Sequence, residues 1–208
     1  MKKLIFLFFL SVGYVNSYAQ WANVEINGVG TIDMPPTMEV QEGLNKKIYE
    51  QYSKTRTTRT LPKIIFQPKG RNNRADSSFQ RYANIQITAV LLSDSTDIGV
   101  DFDYSKFSQE DKKLIYDGFK AEVSTYPSNV KIFELYPLTF VKINNISYYR
   151  VGLKRQLDNN PPVIAYTYKF FDHKKAFDIV ISWRENEAKY WKDDLFKSLN
   201  SFKYNPNL

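Results

Sequence analysis

The stretch from Val163 to Phe202 constrains the fold more than any other part of the chain. It reads as apolar strand, short turn, apolar strand and amphipathic helix: VIAYTYKFF, DHKK, AFDIVISW, then RENEAKYWKDDLFKSLNSF. With Asp172 to Lys175 as a four-residue hairpin loop, Phe171 faces Ala176 and the register runs outward from that pair. One face then receives Phe170 opposite Phe177, Tyr168 opposite Ile179, Tyr166 opposite Ile181 and Ile164 opposite Trp183. The other receives Lys169 opposite Asp178 and Thr167 opposite Val180. A slip of one residue would exchange the two faces, so the pattern specifies the pairing. Ala188, Trp191, Leu195, Leu199 and Phe202 then recur at steps of three and four, one stripe of a helix that needs a sheet to cover. Phe177, Ile179, Ile181 and Trp183 are the expected partner surface. These aromatic side chains are read as core packing rather than as a cofactor or sugar platform.

The N-terminus has a different character. Lys2 and Lys3, the apolar run Leu4 to Leu10 and the small residues around Ser17-Tyr18-Ala19 have the layout of a signal peptide, with cleavage expected before Gln20. The apolar run is too short to span a bilayer as a mature helix, and no later segment has the length and apolarity of a span. The expectation is an exported protein, periplasmic or extracellular, that is not integral to the membrane. With no cysteine, the chain lacks disulfides, a thiol nucleophile, a thiolate metal site and a lipoprotein anchor, so its stability must come from a real core. Residues 20–208, 189 in number, suit a single domain of ordinary size.

Taken in order, Val24 to Met34 alternates loosely and is interrupted by Gly28 and Gly30, which suggests a bent or bulged first strand ended by Pro35-Pro36. Thr37 to Val40 is short and extended. Leu44 to Tyr52 has the makings of one or two helical turns, and the following TRTTRT reads as loop or edge strand. Lys63 to Phe66 is a strand, and Tyr82 to Leu92 a better patterned one, with Ile85, Ile87, Ala89 and Leu91 on one face and Asn84, Gln86 and Thr88 on a partly wet face. Ser108 caps a helix over Gln109 to Ser124, with Glu110 and Asp111 in its first turn and Ile115, Phe119 and Val123 as its buried stripe. Leu138 to Leu153 is a second hairpin turned by Asn144-Asn145, pairing Ile143 with Ile146, Val141 with Tyr148, Phe140 with Tyr149 and Leu138 with Val151. About seven strands and two main helices result, an α+β domain with a mainly antiparallel sheet between helices.

Local chemistry is sparse. The one histidine, His173, falls in the predicted DHKK turn, a poor place around which to build a catalytic triad or a histidine-rich metal site. Asp94, Asp97, Asp101 and Asp103 form an acidic run without the glycine and terminal glutamate of a calcium loop. Gly28 and Gly30 lack the third glycine of a dinucleotide fingerprint. No catalytic residue, metal or cofactor is therefore assigned. A hydrolase built on paired carboxylates stays open as an alternative, because their convergence is a property of the fold and not of local spacing.

Charge is the most informative functional feature. The mature chain carries 27 basic and 22 acidic residues, a net of +5, yet Lys46 to Arg81 alone holds ten basic residues against Glu50 and Asp76, a net of +8. The remainder is net −3. Such a dipolar surface steers anionic partners. Arg56, Arg59, Lys69, Arg71 and Arg74 are the candidate binding residues. For an exported protein the expected anion is an envelope lipid, a polysaccharide or an acidic protein rather than nucleic acid; the bland alternative is a solvated face. A specific protein partner, as for an assembly factor or an immunity protein, is the rival functional expectation.

The ending YTYKFFDHKKAFDIVISWR, running into a helix that carries Trp191 and finishes Ser201-Phe202-Lys203, resembles the PsbP-like superfamily, as does the opening GVGTIDMPPTMEV from Gly28 to Val40. The resemblance covers most of the mature chain. It implies an α/β/α sandwich, a short first hairpin and a non-catalytic extrinsic or partner-binding role.

Overall fold

A computed structural model describes residues 20–43, 46, 47, 51, 63–72, 81–92, 98–173 and 175–207. The predicted signal peptide, the TRTTRT stretch and Asp94 and Asp97 lie outside the described residues; of the predicted turns at Leu44 to Tyr52, Lys46, Lys47 and Gln51 are described, and they are helical. The elements are β1 (Ala22–Ile26), β2 (Gly30–Met34), β3 (Met38–Val40), β4 (Ile64–Pro68), β5 (Ala83–Leu91), α1 (Gln109–Ser124), β6 (Val130–Ile143), β7 (Ile146–Leu157), β8 (Val163–Asp172), β9 (Lys175–Arg184), α2 (Ala188–Ser201) and β10 (Lys203–Tyr204). Seven strands form one sheet in the order β3-β4-β5-β9-β8-β7-β6, every pair antiparallel. A second sheet, β1-β2-β10, has three strands.

The β8-β9 hairpin has the register that its alternation dictates, from Ile164 opposite Trp183 to Phe171 opposite Ala176. Its turn is tighter than the predicted four residues: Asp172 pairs with Lys175, and His173 takes a left-handed φ of 47° to close the loop. On the inner face the Phe170 and Phe177 rings stack with centroids 4.6 Å apart, and Ile179, Ile181 and Trp183 continue the row. α2 lays Trp191, Leu195 and Leu199 on this surface, followed by Phe202, all at 3% exposure or less. Each such side chain contributes about 1.5–3 kcal/mol of burial. Ile26 and Ile32 of the small sheet and Val29 of its β1-β2 turn complete the core.

Three further expectations are corrected. Val24 to Met34 is a hairpin rather than one bent strand, because Gly28 turns the chain at φ 70° and β1 folds back on β2. Gly30, at φ 148°, is required for another reason: a Cβ there would lie 2.0 Å from the Lys203 carbonyl oxygen, where β10 pairs with β2. The β6-β7 hairpin keeps its predicted pairs at Ile143, Val141 and Phe140, with Asn144 and Asn145 both at positive φ, but Leu138 does not face Val151. Pro137 has no N–H to donate to a ladder, and a bulge between Tyr136 and Thr139 absorbs it, after which the strand runs back to Val130. The third correction concerns α1. Its cap is as predicted, Ser108 and Asp111 closing a reciprocal capping box, but only Val123 of its stripe is buried, while Ile115 and Phe119 are only half-buried. α1 and α2 lie on opposite faces of the large sheet, which gives the α/β/α layering.

Candidate binding cleft

The two faces of the large sheet are built from the same strands and differ in kind. Alternation places Asn84, Gln86 and Thr88 of β5, Asp178, Val180 and Ser182 of β9, Ala165, Thr167 and Lys169 of β8 and Tyr149, Val151 and Leu153 of β7 on the face away from the core. α1 packs toward the β6 side of this face and stands off the centre. The result is a cleft of about 540 Å³, floored by those residues and walled by Leu114, Ile115, Gly118, Phe119 and Glu122 of α1, with Tyr126 and Arg155 at one end.

The floor carries an ion pair. Lys169 Nζ lies 3.2 Å from Asp178 Oδ1, with the two side chains 28% and 29% exposed. Burial pushes the Asp178 carboxyl above the usual carboxylate range, only partly offset by Lys169. The same burial pulls Lys169 down, but Asp178 together with Tyr149 and Glu122 outweighs it and holds the ammonium above the ordinary lysine value. At the other end Arg155 sits 5.5 Å from the centroid of the Tyr126 ring, and no carboxylate among the described residues pairs with it. Among the described residues the formal charges of the lining cancel, Arg155 and Lys169 against Glu122 and Asp178. Along the β5-β9 side lie neutral donors and acceptors. Tyr82 and Ser182 share a hydroxyl hydrogen bond of 3.1 Å, Gln86 Nε2 donates to Thr88 Oγ1 at 3.4 Å, and the Asn84 amide oxygen is buried without a donor among the described residues.

The predicted basic surface is only partly placed. Arg56, Arg59 and Arg74 lie outside the described residues. Lys69 and Arg71 sit on the turn that follows β4, the first exposed and the second half buried. Glu39 fixes that turn by accepting hydrogen bonds from the backbone N–H groups of Gly70 (3.0 Å) and Asn72 (2.6 Å) and from Gln67 Nε2 (3.2 Å). Burial would raise its carboxyl, but those donors outweigh burial and hold it below the ordinary value. The Arg71 guanidinium is lowered chiefly by burial, with Tyr82 and Glu39 opposing the shift and Arg184 adding to it. Lys46, Lys47, Lys63 and Arg81 are exposed.

His173 is an exposed turn residue, its side chain 69% accessible. Asp103 caps a short turn by accepting from Ser105 N at 3.0 Å, and no group of three or more His, Cys, Asp or Glu among the described residues is arranged to hold a metal ion. No described helix is long and apolar enough to cross a membrane. The sequence reading did not single out Glu122, Tyr126 or Arg155. The available signal was the partly wet face of β5 together with Lys169 and Asp178 in the middle of the hairpin, which marked a sheet face that its covering helix does not seal.

No family model and no curated protein matches the sequence. Among solved structures, the solution structure of cyanobacterial PsbP (CyanoP) from Synechocystis sp. PCC 6803 is similar with a TM-score of 0.52, covering 94% of this chain and 98% of that one at 11% identity. A crystal structure from Bacteroides thetaiotaomicron at 1.50 Å gives a TM-score of 0.44 over 89% of this chain and 49% of that one, also at 11% identity. With its mainly antiparallel sheet between two helices, the chain has a PsbP-like fold.

Proposed function

We propose that the protein is an exported, non-catalytic binding or accessory protein of the cell envelope that docks on an anionic partner through the region from Lys46 to Arg81. The observation that carries this is exposure. Five basic residues of the region, Lys46, Lys47, Lys63, Lys69 and Arg81, all lie on the surface, and Lys69 stands on a turn that Glu39 holds in one conformation. A pre-formed turn presents its charge at less entropic cost on binding. The signal-peptide layout supports export, and the PsbP-like fold supports an accessory role by analogy. The hydrolase alternative has Glu122 and Asp178 in one cleft in its favour, but Asp178 is engaged by Lys169 and sits in a structural ion pair.

One experiment tests both parts. Wild-type protein and a variant with Arg56, Arg59, Lys69 and Arg74 all changed to Glu are recovered from the envelope of the native host with whatever they bind. Mass spectrometry is expected to find Gln20 at the mature N-terminus, and the anionic lipid or polysaccharide is expected only with wild type. Intact Met1 on mature material refutes export. Equal recovery of one protein partner by both forms replaces anionic docking with specific protein recognition.

A further inference from the structure

We infer that the cleft between α1 and the polar face of the large sheet is a binding site for a neutral oligosaccharide, distinct from the basic region. Its volume of about 540 Å³ falls within the range of small-ligand sites. The charges in its lining select against ions of either sign: an anion meets Glu122 and Asp178, a cation meets Arg155 and Lys169, and the described lining residues are neutral in sum. An aliphatic ligand would strip water from Gln86, Thr88 and Thr167 and return no hydrogen bond, a cost of about 1–3 kcal/mol for each group left unpaired. A pyranose ring has hydroxyl edges and a C–H face, and the cleft offers both surfaces. Amides and hydroxyls line the β5-β9 side, and Ile115 and Phe119 of α1 line the other.

Two details point the same way. The Asn84 amide oxygen, buried on the cleft floor, has no donor among the described residues, and a ligand hydroxyl can supply one. Gly118 lies in the middle of α1 facing the cleft, where glycine costs a helix about 1 kcal/mol relative to alanine. No packing among the described residues requires it, since a Cβ at Gly118 would meet none of their atoms within 4 Å. Close approach of a ligand to the helix backbone accounts for a glycine that packing does not.

The test is calorimetric titration of the full mature protein with maltohexaose, cellohexaose, xylohexaose, mannohexaose and chitohexaose, with oligogalacturonate and phosphatidylglycerol vesicles as comparators. At least one neutral oligomer is expected to bind. Thr167→Val, which keeps shape and strand preference, is expected to weaken it about tenfold, as loss of one buried hydrogen bond implies. Gly118→Leu is expected to abolish binding while raising the melting temperature, so the loss cannot be unfolding. The charge-reversed variant of the basic region is expected to bind the neutral oligomer as wild type does. No binding of any neutral oligomer overturns the inference, as does binding that Gly118→Leu leaves intact, or oligogalacturonate binding that Gly118→Leu removes. Vesicle binding lost only on charge reversal counts for the basic region and leaves the cleft to be judged by the neutral oligomers. Cleavage of a bound oligomer would uphold the site and overturn the non-catalytic reading.

Discussion

Lys169 and Asp178 are the residues at which this sheet departs most from a simple core strand, facing each other across β8 and β9 at 3.2 Å under partial cover. Burial disfavours the Asp178 charge, so its folded pKa lies above the unfolded one, and its contribution to stability is fully present below the ordinary carboxylate value and lost as pH rises through the folded value. Lys169 limits that loss. Its own pKa is raised, so its contribution persists at neutral pH and disappears only as pH rises through its folded value above the lysine range. Lys169→Met should therefore destabilise the protein by about 1–3 kcal/mol at neutral pH, the cost of leaving a partly buried carboxylate without a partner. The difference from wild type should close as acid neutralises Asp178, and adding Asp178→Asn should recover most of it. Urea unfolding across pH checks this; a gap independent of pH would mean that the methionine acts through packing instead. Glu39 moves the opposite way, its lowered pKa giving stability that is lost as pH falls, but it is present in both proteins and drops out of the comparison.

Elements differ in how far their own residues specify them. The β8-β9 register and the α2 stripe were legible because a period of two and a period of 3.6 each sort large apolar side chains onto one surface, and no other pairing buries them. The β6 bulge was not, since Pro137 says only that a ladder bond is missing and not where the register resumes. β10 was also hidden. Two residues carry no periodicity, and Lys203 and Tyr204 become a strand only because β2 offers a free edge and Gly30 lets the backbones meet. The Tyr204 hydroxyl then donates to Asp172 at the end of β8, tying the C-terminus to the main hairpin. Gly30→Ala should displace β10 and cost about 1–3 kcal/mol, the scale of a residue forced into a sparsely populated backbone region. Thermal melts check the magnitude. The nuclear magnetic resonance shifts of Tyr204 should move toward those of an exposed tyrosine, and unchanged shifts would mean that β2 yields instead.

At the scale of the whole molecule the sandwich is asymmetric, and the candidate site follows from that asymmetry. α2 buries Trp191, Leu195, Ser198 and Leu199 against the sheet, whereas α1 buries Val123 alone and leaves Leu114 74% exposed. The composition of α1 hid this, because Ile115, Phe119 and Val123 have the spacing of a docking stripe and only the cleft that Ile115 and Phe119 line shows that the stripe is not closed. Local terms hold α1 together: the Ser108-Asp111 capping box contributes about 1 kcal/mol, and Asp117 meets both Lys113 and Lys120 on the solvent side, where ion pairs add little. Opening free energy follows buried contact, so α1 should exchange its amide hydrogens by local opening well before α2, β5 and β9, which should exchange only on global unfolding. Gly118→Ala should slow exchange in α1 by about fivefold, the equivalent of about 1 kcal/mol of helix propensity, and slow α2, which exchanges through global unfolding, by about the same factor. A neutral oligosaccharide bridging α1 and the sheet should slow it further, since the ligand supplies contacts that the sheet does not. Exchange followed by mass spectrometry separates these cases by peptide. Equal protection of α1 and α2 in the free protein would mean that α1 is fixed by more than its visible packing, and the open cleft would lose its physical basis.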